Sequence, residues 1–325
     1  MDLAASALTQ FKNQFDLIHR ELDGAFDSHV RLVQDIGKHT LLSHGKLLRP
    51  LLFVLSCDLC EHEGEDVYRL STIFEYIHTA SLLHDDVLDN AEVRRKQPSA
   101  NQVWGNHAAV LAGDFLYSKA LTIAVQADSI PFLSKLTETT LRMTEGQILE
   151  FAHTNDWETT RDQYLEIITA KTAVLISAAC GCGAIISGAD RTTQEALSQF
   201  GLNAGIAFQL IDDLLDYTSS EKVFGKPVGK DLQEGKVTLP LIYTLSQLKP
   251  SERKRVAGLL SSTVAADTDY EEILDIVRNG GALDRIRKEA QGYVDLALRA
   301  LDLFPDTETK QHIKTLSQHI IDRQN

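Results

Sequence analysis

Two aspartate clusters of the same form, each inside an apolar helical stretch, constrain the fold of this chain more than any other feature. They occupy residues 85–89 (DDVLD) and 212–216 (DDLLD). Residues four apart lie on one face of a helix, so the acids of each cluster project together. Carboxylates crowded in apolar surroundings lose hydration and repel one another. We therefore expect two facing helices to place all six acids at one cavity, where Mg²⁺ or a similar hard cation compensates them.

Apolar residues recur at helical spacing along almost the whole chain, and alternating strand patterns are nearly absent. Only seven prolines occur. This pattern predicts an all-α fold. Turn-forming residues separate the predicted helices, but none of these breaks is a long linker, so we expect one large helical domain over residues 1–325. The breaks lie near residues 43–45, 90–101, 128–131, 154–156, 188–190, 219–235, 249–250 and 279–281.

Composition excludes several classes of protein. The chain has 325 residues, 43% of them apolar, which is enough for a large buried core. Its net charge of −14 argues against a general nucleic-acid binder, which would carry a basic face. No run approaches the roughly 20 consecutive apolar residues of a membrane span, and the first residues lack signal-peptide features. We expect a cytoplasmic protein.

Basic residues gather around the acid clusters, although the chain as a whole is acidic. Guanidinium groups bind phosphate through two parallel hydrogen bonds, whereas lysine acts as a mobile point charge. Together with carboxylates and Mg²⁺, these cations indicate a ligand with one or two diphosphate groups. They are Lys46 and Arg49 before the first cluster, Arg94 and Arg95 after it, Lys171 between the clusters, and Lys226, Lys230 and Lys236 after the second.

Each of these features taken alone also has a purely structural interpretation. One acid cluster is more often a solvated helix end than a metal site. Lys171 could extend along apolar surface to reach water, and His78 could be a buried core histidine. The hypothesis of a diphosphate site therefore depends on the combination of two acid clusters with flanking cations.

The order and spacing of these motifs over residues 40–245 resemble the trans-type (all-E) isoprenyl diphosphate synthases, which are head-to-tail prenyltransferases. Within that family the sequence is most similar to the bacterial octaprenyl diphosphate synthases that make quinone side chains. The resemblance implies one polyprenyl synthase domain, a helical bundle of the isoprenoid synthase type around a central cavity. One departure is Leu47, where the family often has arginine. The matching motifs are residues 45–50 (GKLLRP), 78–89 (HTASLLHDDVLD), 94–95 (RR), 113–116 (GDFL), 171–172 (KT), 208–216 (FQLIDDLLD), 225–226 (GK), 229–232 (GKDL), 235–236 (GK) and 238–240 (TLP).

The resemblance also implies a role for each matching residue. Those of the isopentenyl diphosphate site are Lys46, Arg49, His78 and Arg95. The ligands of a Mg²⁺ cluster of up to three ions, which grips the allylic diphosphate, are Asp85, Asp86, Asp89, Asp212, Asp213 and Asp216. Direct contacts of that diphosphate are Arg94, Lys171, Lys226 and Lys236, with Lys171 counted as catalytic, and the groups facing the allylic cation are Thr172 and Gln209.

The implied reaction is ionisation of an allylic diphosphate, attack by isopentenyl diphosphate and loss of a proton. Ala80 and Ser81, just before the first cluster, are small, whereas bulky aromatic residues there stop the chain early in short-product members. We therefore expect an all-trans octaprenyl diphosphate made from farnesyl diphosphate, for ubiquinone biosynthesis. The resemblance further implies a homodimer, and release of the apolar product would involve transient membrane contact.

Alternatives remain open at this stage. One is a synthase of farnesyl or geranylgeranyl diphosphate, in which deeper residues close the tunnel early. A head-to-head synthase also uses paired acid motifs, but Lys46, Arg49 and the Arg94–Arg95 pair favour head-to-tail chemistry. A non-catalytic subunit would be expected to lack acids from one cluster, and a purely structural helical protein leaves six aspartates unexplained. Product length, primer, the deepest residue of the tunnel and the quinone are beyond the sequence.

Overall fold

The computed structural model describes residues 10–24, 28–41, 46–95, 97–218, 229–260 and 267–322. Its contacts divide the chain into two compact units. The first acid cluster belongs to the first unit and the second cluster to the second unit. The prediction of one domain over residues 1–325, and of one shared cavity, stays a prediction. The first unit comprises Met1–Thr140, Leu175–Gly201 and Leu301–Thr315, and the second comprises Leu141–Val174, Leu202–Ala300 and Leu316–Asn325.

The described residues are predominantly helical, which confirms the all-α prediction. The first half of the chain contains α1 (Lys12–Asp23), α2 (Arg31–Leu41), α3 (Leu48–Leu59), α4 (Val67–Leu88), α5 (Ala100–Trp104), α6 (Asn106–Gln126) and α7 (Ile130–Ala152). Between α4 and α5, a short antiparallel hairpin pairs β1 (Val93–Arg94) with β2 (Gln97–Pro98). The sequence pattern did not indicate this hairpin, because two-residue strands are too short to show alternation.

The second half is helical as well. It contains α8 (Arg161–Ile168), one π-helical turn (Thr169–Ala173), α9 (Val174–Ile186), α10 (Arg191–Thr218), α11 (Lys230–Gln233), α12 (Leu239–Gln247), α13 (Pro250–Leu260), α14 (Asp267–Asn279), α15 (Ala282–Ala300) and α16 (Glu308–Asp322). The predicted breaks at 154–156 and 188–190 lie wholly between helices, and those at 90–101, 128–131, 249–250 and 279–281 overlap the end of a helix by one or two residues. The break near 43–45 lies outside the described residues, as do residues 219–228 of the break at 219–235.

Helix α4, which delivers the first acid cluster, is the centre of the first unit. It packs most extensively against α6 and next against α3. Ile73, Phe74 and Ile77 have almost no exposed surface, and the ring of Phe53 on α3 lies 5.3 Å from that of Phe74. Burying one such side chain contributes about 1.5–3 kcal/mol. This apolar packing supports the polar residues at the end of α4.

In the second unit, α8 is held in place at its first turn. The side chains of Thr160 and Gln163 form a reciprocal capping box there. Arg161 donates hydrogen bonds from Nε to Tyr243 on α12 (3.1 Å) and to Glu289 on α15 (2.9 Å). Caps of this kind typically contribute about 1 kcal/mol. The contacts fix the helix that carries Tyr164 into the site described below.

Two helical stretches meet the length and mean hydropathy of a membrane span, although neither contains an unbroken apolar run of that length. They are Asn106–Gln126 and Arg161–Ile186. The expectation considered only unbroken apolar runs, whereas mean hydropathy tolerates interspersed polar residues. Core helices of soluble proteins pass the same test, and 78% of the relevant window of the second stretch is buried within the protein.

Candidate active site

The three acids of the first cluster have different environments. Asp86 is buried, and the Nε and one terminal nitrogen of Arg94 both lie 2.6 Å from its Oδ1. Asp85 and Asp89 are only half-buried, and the Asp89 N–H donates to the Asp85 carbonyl (2.8 Å) at the end of α4. The charge of Asp86 is therefore already compensated by the hairpin arginine, whereas Asp85 and Asp89 are the more accessible pair for a cation.

Arg49 and His78, two of the residues predicted to bind isopentenyl diphosphate, are half-buried, and both lie within electrostatic reach of Arg95. Burial and the positive charges of Arg49, Arg95 and Arg94 hold the pKa of His78 well below its usual value, so this imidazole is neutral at physiological pH. Burial also lowers the pKa of Arg49. The Nε of Arg49 is buried and has no hydrogen-bond partner among the described residues. Lys46, by contrast, is exposed.

The departure from the family's first motif coincides with unusual backbone geometry. Leu47, directly before α3, adopts a left-handed conformation with φ of +45° and is almost fully buried. Such a conformation is costly for a residue with a side chain and is often found at functional sites. The strained residue lies between the predicted ligands Lys46 and Arg49.

Sequence reasoning missed a carboxylate in this group. Glu75 on α4 is only 4% exposed, and the charges of Arg49 and Arg95 oppose the rise in its pKa that burial causes. Helical spacing places it on the same face of α4 as Thr79 and Asp86. An acid in an apolar helix, one turn before His78, was the available signal. Glu75 supplies a negative charge to a region otherwise rich in guanidinium groups.

A small cavity lies beside these residues in the first unit. Its volume is about 30 Å³, and its lining includes Thr79, Asp86, Arg94 and Arg95. His39, on α2, forms part of the wall, and its Nε2 lies 2.7 Å from the carbonyl oxygen of Pro98 in the hairpin. The structure thus brings together Asp86, Arg94 and Arg95, which the sequence predicted as site residues.

In the second cluster, Asp213 is buried among neutral donors. The hydroxyl of Tyr164 donates to its Oδ2 (2.6 Å), and Nε2 of Gln209 donates to its Oδ1 (2.7 Å). Burial, together with the smaller effect of the neighbouring charges of Asp212 and Asp216, raises the pKa of Asp213 to about 7, although the two hydrogen bonds lower it. A nearby cation would lower this pKa and relieve the cost of the buried charge.

A fourth acid, which sequence reasoning mentioned only as part of a motif, belongs to the same group. The N–H of Asp231 donates to Oδ2 of Asp216 (3.2 Å). Burial, followed by the charges of Asp216 and Asp213, raises the pKa of Asp231 well above its usual value. Only the folded chain brings Asp231 to this cluster, because residues 217–230 separate it from Asp216 in sequence.

The donor set fits Mg²⁺, which prefers hard oxygen ligands and commonly completes its shell with water and substrate phosphates. Within the described part of the chain, no group of three or more His, Cys, Asp or Glu side chains is arranged to hold a metal ion. The aspartates of each cluster would supply oxygen ligands of the kind that Mg²⁺ prefers.

The predicted lysines that the structure describes in the second unit each lie beside a glutamate. Lys171 is in the π-helical turn and forms an ion pair with Glu150 of α7. Lys236 lies 2.7 Å from Glu234, which also pairs with Lys230 (2.9 Å). Neither glutamate was predicted as a site residue. π-Helical turns are frequent at functional sites, because they redirect side chains.

Helix α7 and the π-helical turn that carries Lys171 approach each other closely at Gly146. A Cβ on Gly146 of α7 would lie 2.5 Å from the backbone nitrogen of Lys171, so glycine is required for α7 to approach the π-helical turn. A cavity of about 140 Å³ in the second unit contains the predicted residues Lys171, Thr172, Gln209, Asp213 and Lys236 in its lining. The remaining predicted lysine, Lys226, lies outside the described residues.

The two residues predicted to form the floor differ in exposure. Ala80 has no exposed surface, whereas Ser81 is half-buried and donates its hydroxyl to the carbonyl of His78 (2.8 Å). Both lie on α4, one turn before the first acid cluster. Because both side chains are small, they occupy little of the space next to this part of α4.

An all-α fold with two acid clusters and flanking cations defines a magnesium-dependent enzyme class that acts on diphosphates. The chain belongs to the polyprenyl synthetase family, whose sequence model matches residues 30–277. It is 35% identical to the all-trans-nonaprenyl-diphosphate synthase (geranyl-diphosphate specific) of Rhodobacter capsulatus, over 99% of both chains. It is 34% identical to the octaprenyl diphosphate synthase of Escherichia coli strain K12, over 91% of this chain and 92% of that protein.

A solved structure is similar as well. The polyprenyl synthase from Caulobacter crescentus, complexed with calcium and isoprenyl diphosphate, aligns with a TM-score of 0.92 at 33% identity, covering 98% of this chain and 97% of that one. These comparisons confirm the trans-type synthase resemblance and the isoprenyl synthase fold. The protein is a Mg²⁺-dependent trans-prenyl diphosphate synthase, and the family's substrates are isopentenyl diphosphate and allylic diphosphates.

Proposed function

We propose that this enzyme makes a long-chain all-trans polyprenyl diphosphate, octaprenyl diphosphate, from farnesyl diphosphate and isopentenyl diphosphate, for the side chain of ubiquinone. The small size of Ala80 and Ser81 carries the proposal, because neither side chain is bulky enough to stop chain growth one turn before the first acid cluster. The names of the two relatives, with eight and nine isoprene units, favour a long product. The alternative is a product of farnesyl or geranylgeranyl length.

We propose that the two substrates bind to different sets of residues. The allylic diphosphate binds with Lys171, Lys236, Arg94 and Lys226, and with up to three Mg²⁺ ions held by the six aspartates of the two clusters. When bound, Mg²⁺ neutralises charge on the departing diphosphate. The hydroxyl of Thr172 and the amide of Gln209 line the cavity that contains Lys171 and Asp213, where their oxygens can face the developing allylic cation.

Isopentenyl diphosphate binds at Lys46, Arg49, His78 and Arg95 in this proposal. The guanidinium groups supply parallel donors for phosphate oxygens. A neutral His78 adds a hydrogen bond without adding charge, since its pKa is lowered. The apolar packing of α4 against α6 excludes water, which would otherwise quench the cation. The proton lost after condensation passes to the released diphosphate.

Product analysis tests the proposal directly. The purified enzyme is incubated with Mg²⁺, farnesyl diphosphate and labelled isopentenyl diphosphate, and the dephosphorylated prenols are separated by length. A ladder ending at octaprenol is the expected result. A ladder ending at geranylgeraniol supports the short-chain alternative, and no labelled prenol contradicts head-to-tail synthesis.

Ser81→Phe is expected to shorten the product, because the aromatic ring would occupy the volume next to the first acid cluster. Ala80→Phe should do the same, but Ala80 is fully buried, so overpacking should also destabilise the fold by about 1–3 kcal/mol. Ser81→Ala is the matched control and should keep the wild-type product. An unchanged prenol ladder in both phenylalanine variants, measured on folded protein, would argue against a floor at this position.

We propose that the enzyme is a homodimer. Helix α6 exposes Leu111 (67%) and Val125 (62%), and α7 exposes Ile148 (61%) and Phe151 (79%). Exposed apolar faces of this kind commonly mark association surfaces. Light scattering during gel filtration should give twice the chain mass, and Leu111→Lys should shift it toward the monomer. A monomeric wild type at micromolar concentration would refute the proposal.

We also propose that the enzyme works in the cytoplasm and touches the membrane transiently to release its product. A long polyprenyl chain is apolar and partitions into lipid, since each buried methylene contributes about 0.8 kcal/mol. The exposed apolar residues of α6 offer a surface that can associate with lipid only when it is not covered by a partner subunit.

A further inference from the structure

One of the matching motifs in the first unit has no role so far, namely the Gly113-Asp114 pair on α6. Both residues lie next to His84, which directly precedes Asp85 on α4. The Nε2 atom of His84 lies 3.1 Å from the carbonyl oxygen of Val110 and 3.4 Å from Oδ1 of Asp114. Both partners are acceptors, so Nε2 must carry the hydrogen and donate it. The imidazole therefore joins the last turns of α4 to α6 through a directional contact.

Gly113 provides the space for this contact. A Cβ at this position would lie 2.3 Å from Nε2 of His84 and 2.6 Å from Cδ2. Gly113 is within a helix, so its backbone conformation does not require glycine. Its lack of a side chain instead creates a notch on α6 that receives the imidazole ring. Any larger residue would push His84 away from both of its acceptors.

The notch lies beside the first acid cluster. Tyr117, one turn after Asp114 on α6, has its ring centroid 6.0 Å from that of His84. Burial and the charge of Asp85 raise the pKa of Tyr117 to about 12, which places this part of α6 within electrostatic reach of the acid cluster. A displacement of α4 at His84 would therefore also move Asp85 relative to α6.

Apolar packing alone would leave this part of α4 poorly defined. Contacts such as those of Ile77 and Ala80 stabilise without strong directionality. Asp86 has its own anchor in Arg94, but Arg94 belongs to the hairpin, which follows α4 directly in sequence. A hydrogen bond from His84 to a neighbouring helix is the kind of support that holds ligands within the narrow tolerance a metal site requires.

We propose that His84, seated in the Gly113 notch, hydrogen-bonded to the Val110 carbonyl and close to the Asp114 carboxylate, is a positioning residue. It sets the rotation of the last turn of α4 about the helix axis and the position of that turn along the axis. These two quantities determine where Asp85 and Asp89 lie for binding Mg²⁺ and the allylic diphosphate. This inference rests on the proposed role of Asp85 and Asp89 as metal ligands.

The first test replaces the donor. His84→Phe keeps a ring but loses the N–H, and it should raise both the Mg²⁺ concentration for half-maximal activity and the KM for farnesyl diphosphate about tenfold, in the range typical of groups that support metal ligands. The KM for isopentenyl diphosphate should change little. His84→Gln, whose amide can donate at a similar reach, should recover most of the loss. His107→Phe, an exposed histidine on α6, is the matched control.

The second test separates positioning from packing. Gly113→Ala should lower the melting temperature, because its Cβ meets the imidazole. Adding His84→Ala removes that clash, so the double variant should melt above Gly113→Ala alone. Its requirement for Mg²⁺ should nevertheless stay raised, since the hydrogen bond is absent. If the double variant regains both stability and wild-type Mg²⁺ dependence, the positioning role is wrong.

A readout independent of turnover keeps the two proposals apart. Mg²⁺ with inorganic pyrophosphate should raise the melting temperature of the wild type, because binding to the native state stabilises it, and raise that of His84→Phe by much less. Equal stabilisation of both proteins overturns the positioning role even if the enzyme makes octaprenol. Absence of prenol from the wild type overturns the proposed function, while the stabilisation experiment still decides the role of His84.

Discussion

Asp213→Asn is expected to lower kcat by about 100- to 1,000-fold and, at pH 8 in EDTA, to raise the melting temperature. The loss of activity is of the size seen when one group that stabilises charge in the transition state is removed. The gain in stability arises because the variant no longer buries a carboxylate that has neutral donors and acidic neighbours around it. Function and stability should therefore change in opposite directions.

The substitution removes a charge but keeps the hydrogen bonds of the site. Asparagine has the same volume, and its oxygen can accept from the hydroxyl of Tyr164, which now donates to Asp213. Its amide can donate to Gln209 once the Gln209 side-chain amide rotates. No buried donor or acceptor is left unsatisfied, so the usual cost of about 1–3 kcal/mol for such a group does not arise.

The pH dependence of this effect has a definite sign. The pKa of Asp213 is about 7 in the folded protein, against roughly 3.9 in an unfolded chain, so the native state retains a proton that the unfolded state has lost. The wild type consequently loses stability as pH rises from roughly 4 to 7. The stabilisation by asparagine should be largest above pH 7 and shrink as pH falls toward 4.

Thermal melts in EDTA at pH 8 and at pH 5 measure this difference. The exposed residue Asp302 offers a control, because Asp302→Asn should melt like the wild type at both pH values. A lower melting temperature for Asp213→Asn at pH 8, or a difference that does not depend on pH, would contradict the argument. Full activity in the variant would instead argue against Asp213 as a metal ligand.

Glu75→Gln is expected to raise the KM for isopentenyl diphosphate about 10- to 100-fold and to lower the melting temperature. Glu75 is buried close to the charges of Arg49 and Arg95, and glutamine has nearly the same shape without the charge. Removing one partner of a buried charge group costs about 3–5 kcal/mol, since the remaining charges are left uncompensated. The two arginines would then be less well placed for a diphosphate.

Separate KM values for the two substrates distinguish this role from general destabilisation. The KM for farnesyl diphosphate should change much less, because its predicted contacts lie at the acid clusters and at Lys171. Ser71→Ala is a suitable control, since Ser71 is buried one turn earlier on α4 and its hydroxyl bonds only locally, to the carbonyl of Tyr68 (2.6 Å). Equal increases in both KM values would indicate a structural role for Glu75 instead.

Helix α4 illustrates how far the sequence predicts the site. The spacing of Ile73, Ile77 and Ala80 predicts a helix with one apolar side, and the D-D-x-x-D pattern at its end predicts a cation site. Both signals are local, so they can be read without knowing the fold. Glu75 carries no such signal, because a single acid in a helix is usually solvent-exposed, and only burial beside Arg49 reveals its importance.

The second unit shows the same limit to what the sequence predicts about the site. Lys171 and Thr172 could be assigned from their motif, but the π-helical turn that carries them and the ion pair with Glu150 depend on the approach of α7 at Gly146. Asp231 is separated from Asp216 by residues 217–230, so no helical periodicity links the two acids. Contacts between segments distant in sequence cannot be derived from local patterns.

The sequence by itself determined the all-α fold, the two acid clusters with their cations, and membership of the prenyl synthase family, because periodicity and motif order are properties of the chain. Only the tertiary structure decided which charges are buried and what stands beside them. Asp86 has Arg94 as its partner, Asp213 has Tyr164, and His84 has the notch at Gly113. The strength of a charge depends on its hydration and its neighbours, and both are set when helices from distant parts of the chain pack together.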